Sequence, residues 1–352
     1  MAKQESPLLV YLAEHKDLPE IVELTEIDKF ILSILSYTKF ELLDSNIKPP
    51  FTIREYARYY PNDENSKDGI YLKFVTLLGK SSRYADIKII DFKKKTSVED
   101  EMQYAFMAFS LPNKHIFVSY RGTDATIVGW KEDLNMAYLS VIPAQNEAHD
   151  TLEYLMSRHP LAKFDLGGHS KGGALAVYAF SKLSPNRANR VESVMDLDSP
   201  GLRNDDMTRD MIKKIHAFMP KNAVVGLIYR KRQKVSIIAT THKGIMSHDA
   251  FSWVIENNKL KRIDEYDSGL VLEESELNKL LNNLSPWEAE YFVNMVYELV
   301  DYSKKDSVDN LFRIKVLIEA YKKYKALDAD NSIVLKDILK RLLKSIFTNK
   351  DE

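Results

Sequence analysis

The sequence predicts an α/β fold, a mostly parallel sheet covered by helices, with a helical stretch before it and another after it. Three observations carry this. Between about residues 105 and 260, short apolar runs alternate with helical stretches, the mark of strands joined by crossover helices. From Phe164 to Ala176 one strand passes through a glycine-rich turn straight into a helix. The chain has 352 residues, 45% hydrophobic and 29% charged, which is ordinary globular composition with enough length for a sizeable core.

Thr25 and Asp28 form a helix-capping pair, and Ile27, Phe30, Ile31, Ile34 and Leu35 then recur on one helical face. Residues 49–68, with paired prolines, many tyrosines and a polar run, read as loop. Strands are predicted at 115–120, 164–167, 193–197, 215–219, 225–229 and 235–240, and helices at 145–158, 173–183 and 206–214. After Ser268 the chain turns helical again. Ser285, Pro286 and Glu288 form a capping box with proline in the first turn, and further helical patterns cover 308–327 and 332–347. The expected organisation is therefore a helical N-terminal extension over 1–95, an α/β core over 96–265 and a C-terminal helical subdomain over 266–352. In the last helix Ile333, Val334, Ile338, Leu342 and Ile346 face one way among Lys336, Lys340, Arg341 and Lys344. That stripe suits packing on the protein's own body, and a peripheral membrane contact is the second use of such a helix.

Fifty basic residues against fifty-one acidic ones give a formal charge of −1, so no global field draws the chain to nucleic acid. With no cysteine, disulfides, thiolate metal sites and cysteine nucleophiles are excluded together. His149-Asp150 and His248-Asp249 lack the further histidines at fixed spacing that a metal phosphohydrolase needs, and no cofactor or metal is expected. Met1 to Leu12 lacks the basic start and unbroken apolar run of a secretory signal, so export is not expected, and no apolar run reaches the ~18 residues that span a bilayer. The expected location is cytoplasmic.

Gly168, Ser170 and Gly172 satisfy GxSxG between a predicted strand and a predicted helix. The chemistry requires that spacing, because a nucleophile on a sharp strand-to-helix turn crowds its neighbours' side chains against backbone. The helix behind it aims its N-terminal N–H groups at negative charge forming in a tetrahedral intermediate. The chain has only 12 glycines, about half the usual share, yet Gly167, Gly168, Gly172 and Gly173 all crowd this turn.

Upstream, Ile116 to Tyr120 is an apolar strand followed by Arg121, Gly122, Thr123 and Asp124, with Trp130, Asp133 and Leu134 soon after. An apolar strand ending in Arg-Gly-Thr, then Trp and Asp-Leu, then Gly-His-Ser-x-Gly-Gly-Ala-Leu-Ala, resembles the class 3, or fungal-lipase-like, α/β hydrolases. It is closest to a bacterial branch with a Gly-His-Ser-Lys-Gly-Gly elbow and a helical N-terminal extension. The resemblance covers roughly residues 28–253. It implies an α/β-hydrolase sheet, Ser170 as nucleophile and Thr123 in the oxyanion hole, with the backbone N–H of Lys171 as second donor.

In such a fold the chain order is nucleophile, acid, histidine. His216, His242 and His248 follow the elbow. His216 falls within a predicted strand, as a sheet-face histidine would. His242 and His248 lie in a loop after the 235–240 strand, and Ser247 to Trp253 resembles the histidine segment of the bacterial branch, so His248 is the expected base. The acid departs from the family pattern, since Pro220, Lys221, Asn222, Ala223 and Val224 offer no carboxylate where class 3 lipases carry one. Either Asn222 orients the imidazole, or the acid has moved one strand earlier to Asp198, which closes the strand before Ser199-Pro200-Gly201. Asp196, two residues back on the same face, should lie deeper. The expected acid is Asp198.

These readings point to a serine hydrolase that cleaves an ester or thioester through an acyl-enzyme, with an acyl-lipid-like small molecule as the substrate the resemblance implies. The missing carboxylate near Asn222 supports one rival, a non-catalytic binding module that keeps the hydrolase pocket. Lys171 beside the nucleophile fits either an anionic substrate or a pairing carboxylate.

Overall fold

The computed structural model describes residues 5–61, 69–124, 139–202, 207–221, 233–242 and 244–263, with 128, 129, 132, 135, 136, 223 and 225–227. The expected C-terminal helices, the membrane-facing stripe among them, lie outside the described residues, as do Asn222, Trp130, Asp133 and Leu134. Contacts gather the chain into two units. The first takes in Met1–Thr96, Gln103–Gly122 and Pro143–Asp267, and the second Ser97–Met102, Thr123–Ile142 and Ser268–Glu352. Within the second, the Asn135 side chain donates to Glu101 Oε2 at 2.8 Å.

Local chemistry sets the N-terminal helices. Helix α1 spans Pro7–Glu14 and α2 spans Glu26–Leu35. Thr25 and Asp28 close the expected capping box on α2, and Ile27, Phe30, Ile31, Ile34 and Leu35 are buried along its inner face. The stretch 49–68, read from sequence as loop, instead holds the short strand β1 (Phe51–Thr52) and helix α3 (Ile53–Tyr59). A second capping box explains the difference: Thr52 Oγ1 accepts from the Glu55 N–H at 3.1 Å, and Glu55 Oε2 accepts from the Thr52 N–H at 2.7 Å. Helix α4 follows at Gly69–Lys80.

Eight strands form one sheet in chain order: β1, β2 (Lys88–Ser97), β3 (Met102–Leu111), β4 (His115–Tyr120), β5 (Lys163–His169), β6 (Val191–Leu197), β7 (Ile215–Pro220) and β8 (Val235–Ile238). β4 pairs antiparallel with β3, and from β4 to β8 every pair is parallel. The sheet thus begins earlier than the alternation suggested, with β1 and most of β2 lying inside the stretch read as a helical extension. Helix α5 (Pro143–Arg158) links β4 to β5, and α6 (Lys171–Ser181) leaves β5. The short helix α7 (Pro185–Ala188) precedes β6, and α8 (Arg209–Lys213), shorter than expected and capped by Thr208, precedes β7. A parallel sheet clothed by helices, with a sharp strand-to-helix elbow after β5, the second strand of the parallel run, is the α/β-hydrolase fold.

Arg121, just past β4, ties the N-terminal segment to the sheet. Its guanidinium is buried and donates to the Ser36 and Thr38 carbonyls at 2.5 and 2.7 Å and to both Glu41 carboxylate oxygens at 3.0 and 3.1 Å. Burial opposes ionisation of Glu41, but the hydrogen bonds and charge of Arg121, aided by Lys94, prevail and hold its carboxyl at about 2 instead of 4.5. A depressed carboxylate contributes stability that is present above the unfolded value and lost as pH falls through the folded one. Glu41→Gln is therefore expected to lower thermal stability at neutral pH, by up to about 3 kcal/mol before solvent screening reduces it. The gap to wild type should close between about pH 4.5 and about pH 2, so melting temperatures measured over that window check it. A gap independent of pH would assign the effect to packing.

Candidate active site

β5 ends at His169, and Ser170 turns the chain into α6 with φ 56° and ψ −135°, a left-handed backbone that a non-glycine residue adopts only where its surroundings impose it. Two backbone bonds hold the turn: the Ser170 N–H donates to the Leu197 carbonyl at 2.9 Å, and the Gly173 N–H to the Ser170 carbonyl at 2.9 Å. The flanking glycines are required by contact. A Cβ on Gly172 would lie 2.1 Å from the Tyr120 carbonyl oxygen, and one on Gly168 2.3 Å from the Gly172 carbonyl.

The register of β5 on β6 sets Gly168 opposite Asp196 and His169 opposite Leu197. One rung further on, Asp198 leaves β6 at the carboxyl edge of the sheet, where Ser170 leaves β5. Asp198 is fully buried with φ 48°, and its N–H donates to the Phe218 carbonyl at 2.8 Å. Its Oδ1 accepts the Gly226 N–H at 3.1 Å, and its Oδ2 lies 2.6 Å from Nδ1 of His248. A carboxylate only accepts, so Nδ1 of the neutral imidazole carries the proton and Nε2 keeps a free lone pair. The His248 side chain is 24% exposed, enough to meet a substrate. Residues 225–229, expected as a strand, begin instead with a 3-10 turn at Val225–Leu227. The turn brings the Gly226 N–H onto Asp198, and a Cβ there would sit 2.3 Å from Asp198 Oδ1. A glycine inside an apolar run was the sequence signal for this bend.

The remaining expected residues divide. Lys171 opens α6, but its side chain is buried and donates to the Gln103 backbone carbonyl at 2.9 Å and Oε1 at 3.1 Å, so it turns into β3 and away from solvent. Asp196 is buried and accepts from the Ser199 N–H at 3.3 Å and Gln233 Nε2 at 3.1 Å. His216 sits exposed on β7 and His242 exposed in its loop. Thr123, partly exposed, follows Gly122, which packs so closely that a Cβ would come within 2.6 Å of the His169 carbonyl. No hydrogen bond joins Ser170 Oγ to His248 among the described residues, and such bonds tighten in hydrolases when substrate arrives.

A second Ser-His-Asp grouping was not anticipated. His115 Nε2 lies 2.6 Å from Asp165 Oδ2, the Ser193 hydroxyl donates to Asp165 Oδ1, and Lys29 Nζ reaches Ser193 Oγ at 2.6 Å. Burial disfavours charge on Asp165, but His115, Lys29 and Ser193 outweigh it and hold the carboxyl below its ordinary range. These residues stand near the amino ends of β4, β5 and β6, where Ser193 is buried and bonded to the acid instead of the histidine. The grouping clamps α2 to the sheet.

The family model for Mbeg1-like proteins matches residues 78–298, more than half of the chain. The chain belongs to the Mbeg1-like family. That family is lipase-like, in accord with the fungal-lipase-like fold expected from the elbow and the Arg-Gly-Thr segment. Solved structures similar to this Mbeg1-like chain include a mutant form of MDLA from Penicillium cyclopium, 12% identical over 70% of this chain and 89% of that one, with a TM-score of 0.41. Others are a lipase from Yarrowia lipolytica (12% identity, 60% and 76% covered, TM-score 0.34) and the propeptide complex of Rhizomucor miehei lipase (14%, 67% and 81%, TM-score 0.36). No curated protein matches the sequence. Among the described residues of this Mbeg1-like protein, no helix is long and apolar enough to cross a membrane.

Proposed function

We propose that the protein is a serine hydrolase acting on a carboxylic ester or thioester. Ser170 attacks the acyl carbonyl, His248 Nε2 takes the hydroxyl proton and later returns it to the leaving group, and Asp198 orients and stabilises the imidazolium. The backbone N–H of Lys171 receives the oxyanion, and water resolves the acyl-enzyme. The reading rests above all on the 2.6 Å contact between Asp198 and Nδ1 of His248, which leaves the other ring nitrogen free at the edge where the elbow lies. An acyl-lipid-like substrate is the first class to test, on the strength of the lipase-like family. The buried Lys171 ammonium, turned toward Gln103, speaks against its selecting an anionic substrate. The test is a chromogenic acyl-ester panel of rising chain length together with fluorophosphonate labelling; a folded protein that hydrolyses nothing and stays unlabelled would be a non-catalytic binding module.

The acid is tested separately. Asp198→Asn keeps the side-chain shape but presents an amide to Nδ1, favouring the wrong imidazole tautomer, and should lower kcat by up to about 10⁴-fold. Asp196→Asn should leave the pH profile of kcat/KM unchanged, because Asp196 answers to Ser199 and Gln233. Near-wild-type turnover in Asp198→Asn with a folded chain would remove Asp198 from the mechanism.

A further inference from the structure

We infer that His169 is a positioning residue for the proposed base: its ring N–H holds the backbone carbonyl of His248, and so holds the imidazole between Asp198 and Ser170. This rests on the serine-hydrolase reading above. His169 Nε2 lies 2.8 Å from the His248 carbonyl oxygen, and because a carbonyl only accepts, Nε2 must carry the proton. Nδ1 then accepts from Tyr37, whose hydroxyl lies 3.2 Å from Nδ1 and 2.8 Å from the His169 carbonyl, its proton shared between them. Burial, and then the neighbouring His248, push the His169 imidazole well below the ordinary histidine range, which keeps it neutral beside a base that must become cationic.

The preceding carbonyl of the base loop is held the same way. Trp253 Nε1 donates to the Ser247 carbonyl at 3.0 Å. Two consecutive carbonyls, those of Ser247 and His248, thus each accept one aromatic ring N–H. The two rings are themselves packed edge to face at 5.8 Å, and the His169 ring lies 4.5 Å from that of His248. From α2 and the turn after it, Phe30 stacks on Trp253 at 5.5 Å and Tyr37 meets His169 edge-on at 5.7 Å. The residue just before the nucleophile therefore grips the base loop, and the N-terminal segment braces that grip. Misplacing a base by about 1 Å costs on the order of 10²-fold in rate, which is the scale of the benefit.

The test compares His169→Phe, His169→Gln and Tyr37→Phe, reading kcat and KM with a chromogenic ester and following the low-field Nδ1–H resonance of His248 by NMR. His169→Phe should lower kcat by about 10²-fold with KM held within about twofold, since the loss concerns the reacting geometry and not binding. The Nδ1–H resonance should move upfield or vanish in that variant, because an imidazole loosened from Asp198 no longer holds its proton in a short hydrogen bond. His169→Gln supplies an amide N–H toward the same carbonyl and should recover at least about tenfold of the loss. Tyr37→Phe should move the resonance in the same direction by less. A folded His169→Phe with wild-type kcat would overturn the inference. So would a glutamine variant no better than phenylalanine with the wild-type resonance in both, which is the result of packing alone. If His169→Phe fails to fold, an unmoved resonance in Tyr37→Phe and His169→Gln, with equal loss of kcat, overturns it equally. Should the hydrolase reading itself fail, no variant nor wild type would turn over ester, while the resonance would still report whether His169 holds His248 on Asp198.

Discussion

Ser170→Ala is expected to abolish ester hydrolysis and fluorophosphonate labelling, a fall of about 10⁶-fold in kcat, while the chain stays folded. The hydroxyl oxygen is the only heavy atom removed, and the bonds that shape the elbow are backbone bonds from Ser170 N–H to Leu197 and from Gly173 N–H to Ser170. The same glycine contacts that force the turn remain in the variant, so the alanine inherits the φ of 56°. Circular dichroism and a melting curve establish folding, and the labelling gel reads the nucleophile directly. Labelling at wild-type level would mean that another residue reacts, and the assignment of Ser170 would fall.

His248→Ala should be as damaging as loss of Ser170, whereas His242→Ala should change kcat by less than about twofold. Nucleophile and base act as one unit, so removing either leaves only binding and oxyanion stabilisation. The two histidines differ in what they touch. His248 Nδ1 is bonded to a fully buried carboxylate, while the His242 side chain is exposed and its backbone carbonyl accepts from Thr240 Oγ1 at 2.7 Å. His248→Ala also leaves Asp198 with the Gly226 N–H as a remaining donor, and a stability loss of about 1–3 kcal/mol should accompany the lost activity. Measuring both variants against the same ester at matched folded fraction separates the two effects. An inactive His242→Ala beside an active His248→Ala would transfer the role of base.

Much of the fold was legible because its signals are local. The α2 capping box needs only residues three apart, and the parallel strands β4 to β7 are buried over most of both faces, so they read as short, largely apolar runs. Where the structure departs from expectation, side chains were answering distant partners. β2 carries the basic run Lys93, Lys94 and Lys95, whose charges are met by Glu147 and Glu41 from distant parts of the chain. Helix α3 hid among tyrosines and prolines, though its Thr52 and Glu55 capping pair was present to be read. Gly226 looked like an interior strand residue because nothing nearby in sequence reveals the Asp198 carboxylate that its N–H must meet.

By itself the sequence determined the elbow, since Gly168, Ser170 and Gly172 are constrained by sterics within a few residues, and it determined the carboxyl edge at which chemistry belongs. It narrowed the candidate acid to Asp198, Asp196 or Asn222 and the candidate base to His248 or His242. Only the tertiary structure decided which carboxylate meets which histidine, because Asp198 and His248 are fifty residues apart and their contact depends on the β5–β6 register and on the turn at Gly226. The same holds for Lys171 and His169, which flank Ser170 in sequence yet turn their side chains inward to Gln103 and to the His248 carbonyl. Backbone geometry is written over a few neighbouring residues, whereas a side chain's partner is chosen by whatever packing brings within about 3 Å.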